Sequence, residues 1–168
     1  MKFIIAQIIG AISYSLLAFS YFKNNKRKIL FIQIIANIGF TAHYLLLDAI
    51  TGTICNILGF TALILIYIFS DNERKKKILI VILTPILIIM SCLSYENIFS
   101  VFPVFACLIT FNSFLSQDED KIRFIGIISA ICWLVYAIIH VSYSAIIFEV
   151  ITAISTSIAY IKNKRNKV

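Results

Sequence analysis

Seven apolar runs, separated by short polar segments, dictate what this chain can become: about Ile5–Phe22, Ile29–Leu47, Ile50–Phe69, Ile78–Ser94, Ile98–Leu115, Ile122–His140 and Ser144–Ile161. Each approaches the roughly 20 residues that a helix, rising about 1.5 Å per residue, needs to cross a bilayer core of roughly 30 Å. Lipid offers the backbone no hydrogen-bond partners, so only helices and closed barrels span it. Continuous rather than alternating runs select helices. The composition agrees, with 61% hydrophobic residues and a mean hydropathy of +0.97, where soluble domains sit near half apolar. The expected fold class is an all-α membrane protein of seven transmembrane helices, with the lipid bilayer as its first partner.

The polar segments sort by charge. KNNKRK (Lys23–Lys28), SDNERKKK (Ser70–Lys77), SQDEDK (Ser116–Lys121) and the tail KNKRNKV alternate with short turns around Asp48, Tyr95–Asn97 and the residues after His140. With seven spans, fourteen of the 15 Lys and Arg residues fall on one side, and only Lys2 on the other. The positive-inside rule makes that side cytoplasmic and leaves the amino terminus outside. The net charge of +7 therefore reads as loop charge beside a membrane, not as a nucleic-acid surface. The positive cluster follows the first run, the reverse of a cleaved secretory signal. Cys55, Cys92, Cys107 and Cys132 lie inside apolar runs without a CxxC pair, which suits packing rather than zinc or a disulfide framework. H-E-x-x-H, G-x-S-x-G and phosphate-cradling glycine loops are all missing. No catalytic set, metal or cofactor is expected, and the chain is not expected to be an enzyme.

A shift of ninety-three positions lays Phe124–Ile161 over Phe31–Ile68 without a gap. It also carries the first run onto the fifth, Ser20 onto Ser113, and one six-residue loop onto another. Identities are few and mostly isoleucine, so the register rests on loop lengths and charge sorting. The chain then reads as three spans, a linker span, and three spans: residues 1–69, 70–97 and 98–168. The linker makes both copies enter the membrane the same way, as a parallel repeat with a pseudo-axis along the membrane normal.

The shift pairs the residues least expected in lipid. Glu149 falls on Asn56, and Trp133, the only tryptophan, on Phe40. Asn56 and Glu149 each sit about six residues, or roughly 9 Å of helix rise, from the outer end of their runs. Phe40 and Trp133 are at similar depth, so all four should converge between the copies, where repeat-built transporters bind solute. A carboxyl inside a span faces a cavity or a partner. Protonated, it donates a hydrogen bond; ionised, it binds a cation or an amine, or carries a coupling proton. The blander alternative makes Glu149 and Asn56 interhelical glue. Trp133 and Phe40 are read as aromatic walls or as packing. Asn37 and His43 flank Phe40 at three-residue steps on nearly one face. They are further candidates for the cavity lining, with a satisfied core histidine as the alternative for His43. Gln7 and Asn112 are read as helix–helix hydrogen bonders.

Two resemblances bear on these residues. The three–one–three parallel repeat, with Phe40/Asn56 and Trp133/Glu149 each sixteen residues apart and the stretch WLVYAI from Trp133, resembles the SWEET sugar facilitators. That resemblance implies a central sugar pocket lined by an aromatic and an asparagine from each copy, with Glu149 standing where the second asparagine would be. The Pro-Gln pair of the related PQ-loop transporters is absent; Ser20-Tyr21 and Ser113-Phe114 stand near that place, and Pro103 is left as a hinge candidate. The core HYLLLDAITG (His43–Gly52) is similar to the bacterial inner-membrane YgjV family, which implies a multi-pass protein of the cytoplasmic membrane. Together these point to a SWEET-like carrier passing a small polar solute, sugar or amine-like, by alternating access, with proton coupling through Glu149. The substrate-binding set expected is Asn56, Glu149, Trp133, Phe40, Asn37 and His43. The alternative is a non-transporting scaffold, sensor or partner protein of the same fold, and self-association into a homo-oligomer is left open.

Overall fold

A computed structural model describes residues 1–20, 26–69, 72–113 and 119–165. Lys23–Asn25, Ser70–Asp71, Tyr21, Phe114, Ser116–Asp118 and the last three residues, on which parts of the loop and tail reading fall, lie outside them. The described residues form seven α-helices: α1 (Lys2–Ser20), α2 (Lys26–Leu46), α3 (Ile50–Ile68), α4 (Glu73–Leu93), α5 (Val101–Ser113), α6 (Glu119–Ile139) and α7 (Tyr143–Arg165). A single 3-10 turn, Ile98–Ser100, leads into α5. Five helices, α1, α3, α4, α6 and α7, are long and apolar enough to cross a membrane. The apolar stretches of the other two, Phe31–Leu46 and Ile98–Ser113, are shorter.

Helices begin earlier than hydropathy suggests, because charged residues suit a helix end as well as a loop. The Asn72 side chain accepts from the Lys75 N–H at 3.0 Å and caps α4. Glu73 then sits in the first turn, where the helix dipole favours an anion, and binds the Lys76 ammonium at 2.6 Å. All of ERKKK is thus helix, not loop. At the other end of the chain, α7 continues through Arg165, beyond the apolar run. Pro103 occupies the first turn of α5, where an N–H has no intrahelical acceptor to lose, so it marks a start and offers no hinge within the ladder.

Six helices close a ring: α1 packs on α2, α2 on α3, α3 on α5, α5 on α6, α6 on α7, and α7 back on α1. Helix α4 stands outside the ring against α3 and α5. Lipid is as apolar as isoleucine, so burying aliphatic surface between helices gains little; close packing and hydrogen bonds hold such bundles. The sequence obeys this. Isoleucines such as Ile8, Ile12, Ile38, Ile147, Ile151 and Ile154 are exposed on the outside, while Ala6, Ala36, Ala62, Ala106, Ala137 and Ala145 are buried between helices.

The α2–α3 and α6–α7 turns share one geometry. In the first, Asp48 is left-handed (φ 57°), its N–H bonds the Leu45 carbonyl at 3.2 Å, and the Ala49 N–H bonds the Tyr44 carbonyl at 3.0 Å. In the second, Val141 is left-handed (φ 51°), its N–H bonds Ile138 at 3.2 Å, and the Ser142 N–H bonds Ala137 at 2.9 Å. Both are Schellman closures. Lys2 reaches Asp48 at 2.7 Å, which brings the start of α1 to the same end of the bundle as these turns.

Candidate functional site

The ring surrounds a half-open cavity of about 560 Å³. All six ring helices line it, and α4 contributes none of the lining. Lining residues run from Tyr44 and Cys55, near the turn end, to Ser113 and Ile122, at the end that carries the basic segments.

Five of the six residues expected from sequence line this cavity: Asn37, Phe40, Asn56, Trp133 and Glu149. His43 does not. Three-residue steps along a helix of 3.6 residues per turn drift by about 60° each, so His43 has rotated away from Asn37, while Tyr44, four residues from Phe40, stays on the cavity face. His43 is fully buried between α1 and α7. Its Nδ1 meets the Ala6 carbonyl at 2.6 Å and its Nε2 the Ser142 hydroxyl at 2.7 Å. A carbonyl only accepts, so Nδ1 carries the proton and Nε2 of the neutral ring accepts from Ser142. The ring is a strut between three helices.

Glu149, in the second turn of α7, accepts from the Tyr14 hydroxyl of α1 at 3.0 Å. Tyr14 is clamped in turn, its ring 4.5 Å from Phe40 and stacked 5.1 Å from Phe148. Next to it Tyr44, Trp133 and Tyr136 form a second aromatic group, with Tyr44 5.5 Å from Trp133 and 5.8 Å from Tyr136. The Tyr44 hydroxyl is buried beside the Tyr14 hydroxyl and the Glu149 carboxyl, without a well-aligned hydrogen bond among the described residues. The two asparagines are oriented by their own helices. Asn56 donates its amide to the Gly52 carbonyl at 2.8 Å, and Asn37 donates to Gln33 at 2.9 Å. Each thereby spends an N–H and leaves Oδ1 without an intrahelical partner. Among the described residues, no group of His, Cys, Asp and Glu could hold a metal ion.

Above the cavity, the turn end is tied shut. Gln7 bonds the Ser144 backbone and hydroxyl at 3.0 and 3.1 Å and the Val141 carbonyl at 3.2 Å. Across the ring, Glu96 accepts from the Ile50 N–H at 2.6 Å and from the Tyr136 hydroxyl at 3.1 Å, and that hydroxyl accepts from the Gly52 N–H at 2.9 Å. Close approach needs glycine at three points: a Cβ on Gly10 would collide with Ser144 and His43, one on Gly39 with Ser13, and one on Gly52 would lie 2.5 Å from the Tyr136 ring.

Sequence reasoning missed Tyr14, Tyr44 and Glu96. Tyr44 could have been found from the 37–40–44 spacing. Tyr14 carried no signal, because its counterpart at the ninety-three shift is Cys107. Glu96 sits in a turn and reads as solvated.

No curated protein and no solved structure matches this chain. The family model for the bacterial inner membrane protein family Imp-YgjV matches residues 4–167. A ring of apolar helices with a lipid-compatible outer surface is what such a protein requires, and the chain belongs to the YgjV family of bacterial inner membrane proteins.

Proposed function

We propose that the protein is a carrier that passes a small polar solute across the inner membrane through the central cavity by alternating access. In this reading all seven helices span the membrane, α1–α3 and α5–α7 are the two parallel copies, and α4 is the linker. The basic segments and the carboxyl terminus face the cytoplasm, with Lys2 and the two Schellman turns outside. The observation that carries the reading is a cavity lined by matched positions. Asn56 with Glu149, Phe40 with Trp133, Asn37 with Ala130, Leu17 with Thr110 and Gly59 with Thr152 are each ninety-three residues apart and all line it. The left-handed Asp48 and Val141 keep the same spacing. With the turn end bonded shut and the lining running toward the basic end, the conformation would be the one open to the cytoplasm. Rocking α1–α3 against α5–α7 would break the Gln7 and Glu96 ties and expose the cavity outward. Glu149 is the group a coupling proton would use.

Uptake by reconstituted vesicles, compared with Glu149→Gln and with empty vesicles, tests transport. Cysteines placed at 56 and 149 in a chain lacking its native four test access. Labelling from at least one side is expected; if neither position labels from either side, the protein is a scaffold or partner protein with a collapsed centre.

A further inference from the structure

We infer that the solute is a small organic cation of the alkylammonium type, held between Glu149 and the aromatic faces of the cavity. This rests on the carrier reading only for the claim that the solute moves; the binding chemistry stands on the cavity itself. Among the described residues the lining contains one carboxyl, Glu149, and no Lys, Arg or His. There an anionic solute would meet a carboxyl and no positive group. The amides of Asn56 and Asn37 each turn one N–H onto their own backbones, which leaves the oxygen and one N–H of each to face a ligand. The Tyr44 hydroxyl, buried beside Tyr14 and Glu149, adds a further polar contact that can donate or accept. The one carboxyl and the amide oxygens thus suit a ligand that brings positive charge. The cavity walls select among such ligands. Phe40 and Trp133 line the cavity together with Glu149, and a cation over an aromatic face is held more tightly when water is excluded.

The test uses the full chain purified in detergent, with choline as the probe. Its neutral isostere 3,3-dimethylbutan-1-ol and glucose are the comparisons. Trp133 is the only tryptophan in the chain and lines the cavity, so its fluorescence reports occupancy directly. Choline should change the emission saturably, with an affinity at least tenfold above that of either comparison. It should also raise the midpoint of thermal unfolding of the unmutated chain, as any ligand of the folded state does. Glu149→Gln should weaken choline at least tenfold and leave the alcohol unchanged. Equal binding of choline and the alcohol, saturable binding of glucose alone, or no saturable response to choline by either readout would overturn the inference. Choline binding without vesicle uptake would keep it and remove the carrier reading; glucose uptake without choline binding would do the reverse.

Discussion

Glu149 on α7 and Tyr14 on α1 are joined by a 3.0 Å hydrogen bond that crosses the seam between the beginning and the end of the chain. Hydrogen bonds to a carboxyl inside a bundle contribute about 1.5–3 kcal/mol when the carboxyl is charged, and about 1 kcal/mol when it is not. Tyr14→Phe keeps the ring on Phe40 and Phe148 and removes only the hydroxyl. It should lower the thermal midpoint by an amount equivalent to about 1–2 kcal/mol. Glu149→Gln keeps an acceptor oxygen for Tyr14 and should cost less. Unfolding scans on the two variants in one detergent check the order; a larger loss for Glu149→Gln than for Tyr14→Phe would show that the bond is not what Glu149 contributes to the fold.

His43 was a candidate for the lining and is instead a strut, so its replacement should affect stability and spare the cavity. His43→Ala leaves the Ala6 carbonyl and the Ser142 hydroxyl without their partner in a fully buried place and opens a void. The expected cost is about 2–4 kcal/mol. Trp133 emission of the folded fraction should stay as in the parent chain. A shifted emission maximum with an unchanged midpoint would reverse the assignment.

These two residues also show how far the sequence could be read. Glu149 and Asn56 were legible because a polar group deep in an apolar run has few reasons to be there, and the depth of Phe40 and Trp133 followed by counting. Direction around the helix was not legible for His43, since a three-residue step and a four-residue step both read as one face until the drift is added up. Tyr14 and Glu96 depend on which helices adjoin, α1 with α7 and the α4–α5 turn with α3, and adjacency is set by packing rather than by local pattern. Charged helix starts such as Glu73–Lys77 were hidden for a simpler reason: hydropathy marks where lipid begins, not where the helix does.

Val141 occupies a left-handed backbone position, which costs an ordinary side chain roughly 1–2 kcal/mol and suits a β-branched one least. The matching turn places Asp48 there, a residue that tolerates it. Val141→Asn should raise the midpoint by about 1 kcal/mol equivalent without altering Trp133 emission. The carbonyl that Gln7 contacts at 141 belongs to the backbone and survives the change. A lower midpoint would mean that the exposed valine side chain contributes more than its backbone strain removes.

Gly52 presents the opposite case. Its N–H donates to the Tyr136 hydroxyl, and a methyl on it would lie 2.5 Å from that ring. The ring packs near Tyr44 and His140 and has little room to recede. Gly52→Ala should destabilise by about 1–3 kcal/mol through overpacking. Because position 56 lies about one turn further along α3, a backbone shift at 52 should also disturb cysteine labelling at 56. A stable variant with unaltered labelling would show that Tyr136 can swing aside.

His140 lies beyond α6 at the turn end, its Nε2 3.6 Å from the Glu96 carboxylate and its ring 4.3 Å from that of Tyr136. Burial pushes the imidazole below the ordinary histidine range, and the nearby carboxylate opposes that shift without cancelling it. An unfolded histidine takes up its proton near pH 6.5, before the folded one does. Acidification therefore favours the unfolded chain: the contribution is whole above about pH 6.5 and is lost as the pH falls through the lower folded value. His140→Gln cannot titrate. Between pH 7.5 and 5 its thermal midpoint should fall less steeply than that of the parent, while carboxylates common to both give the two curves a shared slope. Parallel curves would mean that protonated His140 pairs with Glu96 well enough to repay its burial.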